Sequence, residues 1–264
     1  MQFPVTPEIG VEIIDDIMRV TLHRPEAMNA LTSSMLHGLD NAVANLESRD
    51  DLRVLIITGA GRAFCAGADL KAFDEAQVVA PGEPDFLDLA SSQFARIAAL
   101  SKPVIACLNG ITMAGGLELA LSADLLVAAD TARIGDAHAN FGVYPGGGGA
   151  AVLPRVIPLH AAMYLLYTGR TYTATQLHAL GLICEVHPSE ALAEATLALA
   201  RHIASRSPAT LRRMKEVARA SADKTRSDAL LHEQVMLRKH LRSHDMAEGL
   251  SAFAEKRPPQ FTGR

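Results

Sequence analysis

Only three cysteines occur among the 264 residues, Cys65, Cys107 and Cys184, and no two of them form a CxxC pair. That spacing excludes a disulfide framework and a structural zinc ribbon, predicts no metal site, and fits a reducing compartment. A basic excess is also missing: 25 Lys and Arg stand against 29 Asp and Glu, for a net charge of −4. A protein held mainly by nucleic-acid phosphates or by anionic lipid needs the opposite balance. No apolar run reaches the roughly 18 uncharged residues of a membrane span. The most apolar segment, 104–129, is broken by Glu118 and Asp124 and carries Asn109, Gly110, Gly115 and Gly116, so it reads as buried core. The opening MQFPVTPEIG lacks the basic start and apolar stretch of a signal peptide, which predicts a cytoplasmic protein. There is no internal repeat, no low-complexity tract and no GxSxG elbow of a serine hydrolase.

The length predicts one large domain, or one domain with an appendage. Residues 11–14 and 17–22 read as two short strands around an Asp15-Asp16 turn. Thr32, followed by Leu36, Leu39, Ala42, Val43 and Leu46, predicts an N-capped amphipathic helix. Three short apolar runs, 54–58, 104–108 and 125–129, read as buried strands of a parallel or mixed sheet, with a helix starting near Gly115 between the last two. This alternation is the pattern of an α/β layer. Helices are expected at 161–167, 174–180, 191–205, from Pro208 onward, and as one long element over 228–244. Residues 1–200 are taken as the core and 201–264 as a helical extension packing on that core or on neighbouring subunits. The stretch 71–94, with Pro81, Gly82 and Pro84, reads as a mobile loop with helical ends, placed as a lid.

The chemistry is expected where glycines follow buried strands. Gly59-Ala60-Gly61 opens like a dinucleotide fingerprint, but Phe64 occupies the place of the third glycine, so that reading fails. The run Gly146–Gly149 has no following Lys-Ser or Lys-Thr and is no phosphate loop of that kind. Ala66-Gly67 and Gly115-Gly116 each follow an apolar strand, and small residues there leave backbone N–H groups open to a ligand. The second pair opens a helix, whose N-terminus adds about half a positive charge. Two convergent donors make an oxyanion hole, which suits a carbonyl oxygen gaining charge. Glu118 lies one helical turn beyond Gly115. Flanked by Leu117, Leu119, Ala120 and Leu121, it reads either as a helix-terminal acid favouring the dipole or as a buried general base. Cys65, before Ala66, reads as a packing residue rather than a nucleophile.

Several segments resemble the enoyl-CoA hydratase/isomerase, or crotonase, superfamily. They are His23–Leu31, Phe64–Leu70, Asn109-Gly110 with Ala114–Ala120, Pro145–Gly149, and Phe253–Phe261, in order from nearly one end to the other. The resemblance implies a spiral of β-β-α turns with a C-terminal helical extension used in trimerisation, the trimers often paired as hexamers. It implies that Ala66 and Gly115 hold a thioester carbonyl and that Ala66, Gly67, Ala68, Asp69 and Leu70 line the adenine and pantetheine. Arg24 would lie near the phosphates of coenzyme A, with Phe253 and Lys256 closing over the nucleotide. Coenzyme A would enter as part of the substrate, with no separately bound cofactor.

Hydratases of the superfamily use a second glutamate, which falls at position 138, and here that residue is His138. A neutral imidazole both donates and accepts, and its reference pKa of about 6.5 suits proton exchange. Asp136 shares a face with it if the stretch is extended. His138 then either joins Glu118 in catalysis or only shapes the pocket. Hydration of a 2-enoyl-CoA keeps the closest likeness. Isomerisation needs only one base, although the superfamily's isomerases commonly keep the glutamate that His138 replaces. Thioester or C–C hydrolysis aided by His138 is a third option. From a different class, a non-catalytic CoA- or RNA-binding scaffold would use the basic run Arg206, Arg212, Arg213, Lys215, Arg219, Lys224 and Arg226. That run is interspersed with apolar positions and reads as a solvated face or a subunit contact.

Overall fold

The computed structural model describes residues 6–70 and 83–264. The first part of the expected lid, 71–82, lies outside the described residues. The two opening strands form as expected, β1 (Ile9–Ile14) antiparallel to β2 (Ile17–Leu22), with Ile14 paired to Ile17 across the turn. Asp15 takes the left-handed conformation that so tight a turn needs (φ 58°). Thr32 caps α1 (Ser33–Ser48) by accepting from the Met35 amide at 3.1 Å. The three apolar runs become β3 (Val54–Gly59), β5 (Val104–Leu108) and β7 (Leu125–Ala129). With β10 (Glu185–His187) they give a six-stranded sheet, β1-β2-β3-β5-β7-β10, parallel except for its first pair.

A second sheet is built from three-residue strands: β4 (Ala63–Cys65), β6 (Ile111–Met113), β8 (Arg133–Gly135) and β9 (Thr171–Thr173), in that order. Such strands are too short to show periodicity in the sequence. Each turn of the chain therefore places one strand in each sheet and then adds a helix. The pattern runs β3-β4-α2 (Phe86–Ala99), then β5-β6-α3 (Gly115–Ser122). This is the expected β-β-α spiral, a mixed α/β fold. Two asparagine amides, that of Asn29 buried, lock successive turns. Asn29 Nδ2 donates to the carbonyls of Ala60 and Ala63, and Asn109 Nδ2 donates to those of Gly61 and Ala63.

Residues 153–156 and 159–168 form α4 (Leu153–Val156) and α5 (Leu159–Thr168), and 174–179 forms α6 (Ala174–Ala179). α7 (Leu192–Ala204) packs on the six-stranded sheet. Pro208 opens α8 (Pro208–Ser221) at its first turn, with Ser207 as the cap. The single helix expected over 228–244 is two helices, α9 (Arg226–His240) and α10 (His244–Glu255). Ser243 Oγ accepts from the Met246 amide at 3.2 Å and starts the second helix afresh. α8 is tied to the core through Asp124, which accepts from Lys215 Nζ and Arg219 Nη2, each at 2.7 Å. Two members of the basic run are thereby committed to a carboxylate of this chain.

The helix that carries Glu118 is buried along its whole length. Its entry is strained: Ala114 holds φ 48° and ψ −122°, a region that side chains other than glycine avoid. Gly116 lies hard against β4, so that a Cβ there would meet the Cys65 carbonyl oxygen at 2.1 Å, whereas at Gly115 the nearest atom is 3.5 Å away. Gly116→Ala is accordingly expected to lower stability by about 1–3 kcal/mol through overpacking. Gly115→Ala is expected to leave it unchanged or slightly raised. Denaturant unfolding of the two variants checks the contrast.

Candidate active site

Glu118 is only 4% exposed, so its carboxylate needs donors. They come from the glycine run that follows the 3₁₀ turn His138–Phe141. The amides of Gly147 and Gly149 both donate to Oε1, at 2.7 and 2.9 Å. Two hydrogen bonds to one oxygen hold the group in place and leave Oε2 without a hydrogen bond among the described residues. The glycines are needed for space. A Cβ at Gly147 would meet the Phe94 ring at 2.7 Å and Glu118 Oε2 at 3.0 Å. A Cβ at Gly149 would meet Asp136 Oδ2 at 2.6 Å and Glu118 Oε1 at 3.3 Å. Glu118, Asp136 and the edge of Phe94 therefore converge on one loop. In the sequence this loop shows as a glycine cluster with no phosphate-loop ending, which does not by itself point to a carboxylate partner.

His138 lies beside this group. Its ring Nδ1 is 2.9 Å from Asp136 Oδ1, and its backbone N–H donates to the same oxygen at 3.2 Å. The stretch is not extended: Ala137 turns left-handed (φ 62°), and the two side chains meet across that turn. Burial pulls the imidazole pKa down, but the hydrogen bond to Asp136 and the charges of Asp136 and Glu118 outweigh it, so the net shift is upward.

One expected donor needs correction. The Ala66 amide donates to the Met28 carbonyl at 3.0 Å and is consumed inside the chain. Asp69 N–H likewise goes to the Leu31 carbonyl, at 2.9 Å. Between them Gly67 holds φ +116°, which breaks the regular alternation of a strand. The Ala68 N–H is left without an acceptor among the described residues, and so is that of Gly115 at the start of α3. The two are neighbours, since a Cβ at Gly115 would lie 3.5 Å from the Ala68 nitrogen. The pair of open amides is thus Ala68 and Gly115, displaced by two residues from the sequence expectation. Cys65 is fully buried and its thiol is pushed up to about 12, so it offers no thiolate nucleophile.

Residues 12–264 match the family model described as enoyl-CoA hydratase/isomerase. The chain belongs to the enoyl-CoA hydratase/isomerase family. It is 38% identical over 255 residues to a Mycobacterium leprae protein named "Probable enoyl-CoA hydratase", covering 96% of this chain and 98% of that one. It is 37% identical over 253 residues to the 1,2-epoxyphenylacetyl-CoA isomerase of Escherichia coli, covering 94% and 95% of the two chains. The crystal structure of an enoyl-CoA hydratase from Mycobacterium tuberculosis superposes with a TM-score of 0.89 at 36% identity, covering 98% of this chain and 100% of that one. The fold is that of the crotonase superfamily.

Within this enoyl-CoA hydratase/isomerase framework the remaining sequence candidates separate. Arg24 and Asp69 meet, but as partners of one another, Nη2 to Oδ2 at 2.9 Å. Arg24 also pairs with Glu8 at 3.0 Å and donates to the Ala30 carbonyl at 2.7 Å, so its guanidinium is tied to this chain at three points. Leu70 is half exposed, and Phe253, at the end of α10, is 85% exposed. Lys256 follows it in a left-handed C-cap. Among the described residues, no helix is long and apolar enough to cross a membrane. From the Gly149 geometry, Gly149→Ala is expected to displace Asp136 and Glu118 together. It should cut turnover on an enoyl-CoA by at least about tenfold, at a cost of more than about 1.4 kcal/mol in the barrier. Steady-state kinetics on the folded variant measure this.

Proposed function

We propose that the protein hydrates the 2,3-double bond of an enoyl-CoA thioester. What supports this most directly is Glu118, a buried carboxylate pinned through one oxygen and open at the other, one helical turn from the paired free amides of Ala68 and Gly115. Those amides receive the thioester oxygen, and the N-terminus of α3 adds its dipole to them. Charge drawn onto that oxygen leaves the β-carbon electrophilic. Glu118 Oε2 takes a proton from water as the water oxygen bonds to the β-carbon. The displaced π pair moves to the α-carbon, which takes a proton from His138 Nε2. The cycle ends with Glu118 protonated and His138 neutral, and a proton returned from the first to the second restores both. In this scheme His138 does the work of the absent second glutamate.

Coenzyme A is part of the substrate. Its adenine and pantetheine lie along Ala66–Leu70, an edge that Arg24 shapes while paired to Glu8 and Asp69. Phe253 and Lys256 close over the nucleotide from a neighbouring subunit. Residues 201–264, with α8–α10, form the extension that packs on that subunit in a homotrimer or a pair of trimers. α9 has no buried residue, and Leu230, Leu231, Leu237 and Leu241 are all at least half exposed in the single chain. Such an apolar surface needs a cover. Light scattering should give a mass three or six times that of one chain, and a monomer would refute the assembly. The protein acts in the cytosol.

The likeness to 1,2-epoxyphenylacetyl-CoA isomerase favours a second reading, in which Glu118 alone moves a proton. Incubation with a panel of enoyl-CoAs separates the outcomes. Loss of the 2,3-double bond with oxygen uptake from labelled water is expected. A shifted double bond without label indicates isomerisation, release of free thiol indicates hydrolysis, and salt-dependent RNA binding without turnover indicates a scaffold. Glu118→Gln keeps an acceptor for the Gly147 and Gly149 amides but removes the base. Turnover should fall on the order of 10²–10⁴-fold while CoA-thioester binding, measured by calorimetry, persists.

A further inference from the structure

Asp136 is 1% exposed and takes no part in the scheme above. Its Oδ1 accepts the backbone N–H of His138 and faces ring Nδ1. Its Oδ2 is buried with no hydrogen-bond partner among the described residues, pressed against Gly149 where a Cβ would stand 2.6 Å away. A buried carboxylate oxygen left without a donor is costly unless the charge is balanced nearby. Among the described residues the group paired with this carboxylate is the His138 imidazole. The bond at Nδ1 also settles the tautomer. An ionised carboxylate only accepts, so Nδ1 carries the hydrogen and Nε2 is the nitrogen left to exchange a proton.

We infer that Asp136 is a positioning residue. It orients His138 through Nδ1, reserves Nε2 for the acyl chain, and makes the imidazolium the counter-charge of its own carboxylate, whose Oδ2 has no donor among the described residues. This rests on the hydratase reading for what Nε2 does, but not for how the ring is held. The charged groups acting on His138 are Asp136 at the end of β8 and Glu118 on α3. α5, which packs against the 138–141 turn, carries His160, Tyr164 and Tyr167, all exposed to solvent. The loop 142–149 carries no charged side chain, and its Tyr144 is exposed. Burial opposes the charged ring, but both carboxylates favour it and prevail, so the acid form of His138 persists to higher pH than in a free histidine and is lost as pH rises through its elevated pKa.

The test is Asp136→Asn, which keeps an oxygen to accept from Nδ1 and removes the charge. The alkaline limb of kcat/KM on an enoyl-CoA should move to lower pH by about one unit or more. Nitrogen-15 NMR of the imidazoles, with His138 assigned by its loss in His138→Gln, should show Nδ1 protonated throughout in the parent protein. The His138 titration midpoint should fall in Asp136→Asn. A parent ring protonated at Nε2 when neutral, or a midpoint unmoved in the folded variant, overturns the assignment. If the variant does not fold, the parent tautomer alone decides. If no enoyl-CoA is hydrated but the NMR titration behaves as stated, the hydratase reading fails and the role of Asp136 stands.

Discussion

A carboxylate almost fully withdrawn from water must find donors, and Glu118 finds them in the amides of Gly147 and Gly149. Much of the site follows from that requirement. The loop must come close enough for two N–H groups to reach one oxygen, so it can carry no side chain at either position. The same approach brings Asp136 and Phe94 up against the loop beside Glu118. The free oxygen of Glu118 is then held at a fixed place beside the N-terminus of a buried helix.

The second constraint is close backbone packing. Gly116 against Cys65, and Gly110 against Arg62, let successive turns of the spiral stack with hardly any side chain between them. The short strands of the small sheet exist because of this stacking, and Asn29 and Asn109 satisfy the carbonyls that such tight turns would otherwise strand. The strained Ala114 sits where the chain leaves β6 and starts the helix of Glu118. Backbone strain of this kind is commonly stored where a site must be held in one arrangement. Here it lies immediately before the first amide of α3, which packs beside Gly67 and Ala68.

Much of the chain was legible from its residues. The long strands, the Thr32 cap, the Pro208 helix start and the buried Glu118 each carry a local signal in apolar runs, capping residues or flanking leucines. The break at Ser243 was hidden because charged and apolar residues alternate across it without a glycine or proline. The donor at Ala68 was missed for a conformational reason. Counting along a strand presumes alternation, and one positive φ at Gly67 cancels it.

The sequence by itself determined the α/β class, the membership carried by its ordered motifs, and the placing of an acid, Glu118, within an apolar stretch. These are properties of local pattern and residue type. The tertiary structure decided which amides stay open, which oxygen of Glu118 is spent on the glycine loop, and that Asp136 grips His138 across a left-handed turn. Those depend on where hydrogen bonds go between segments distant in the chain, such as Ala66 to Met28 and Gly149 to Glu118. No run of neighbouring residues encodes such pairings, because each exists only once the packed core has brought its two ends together.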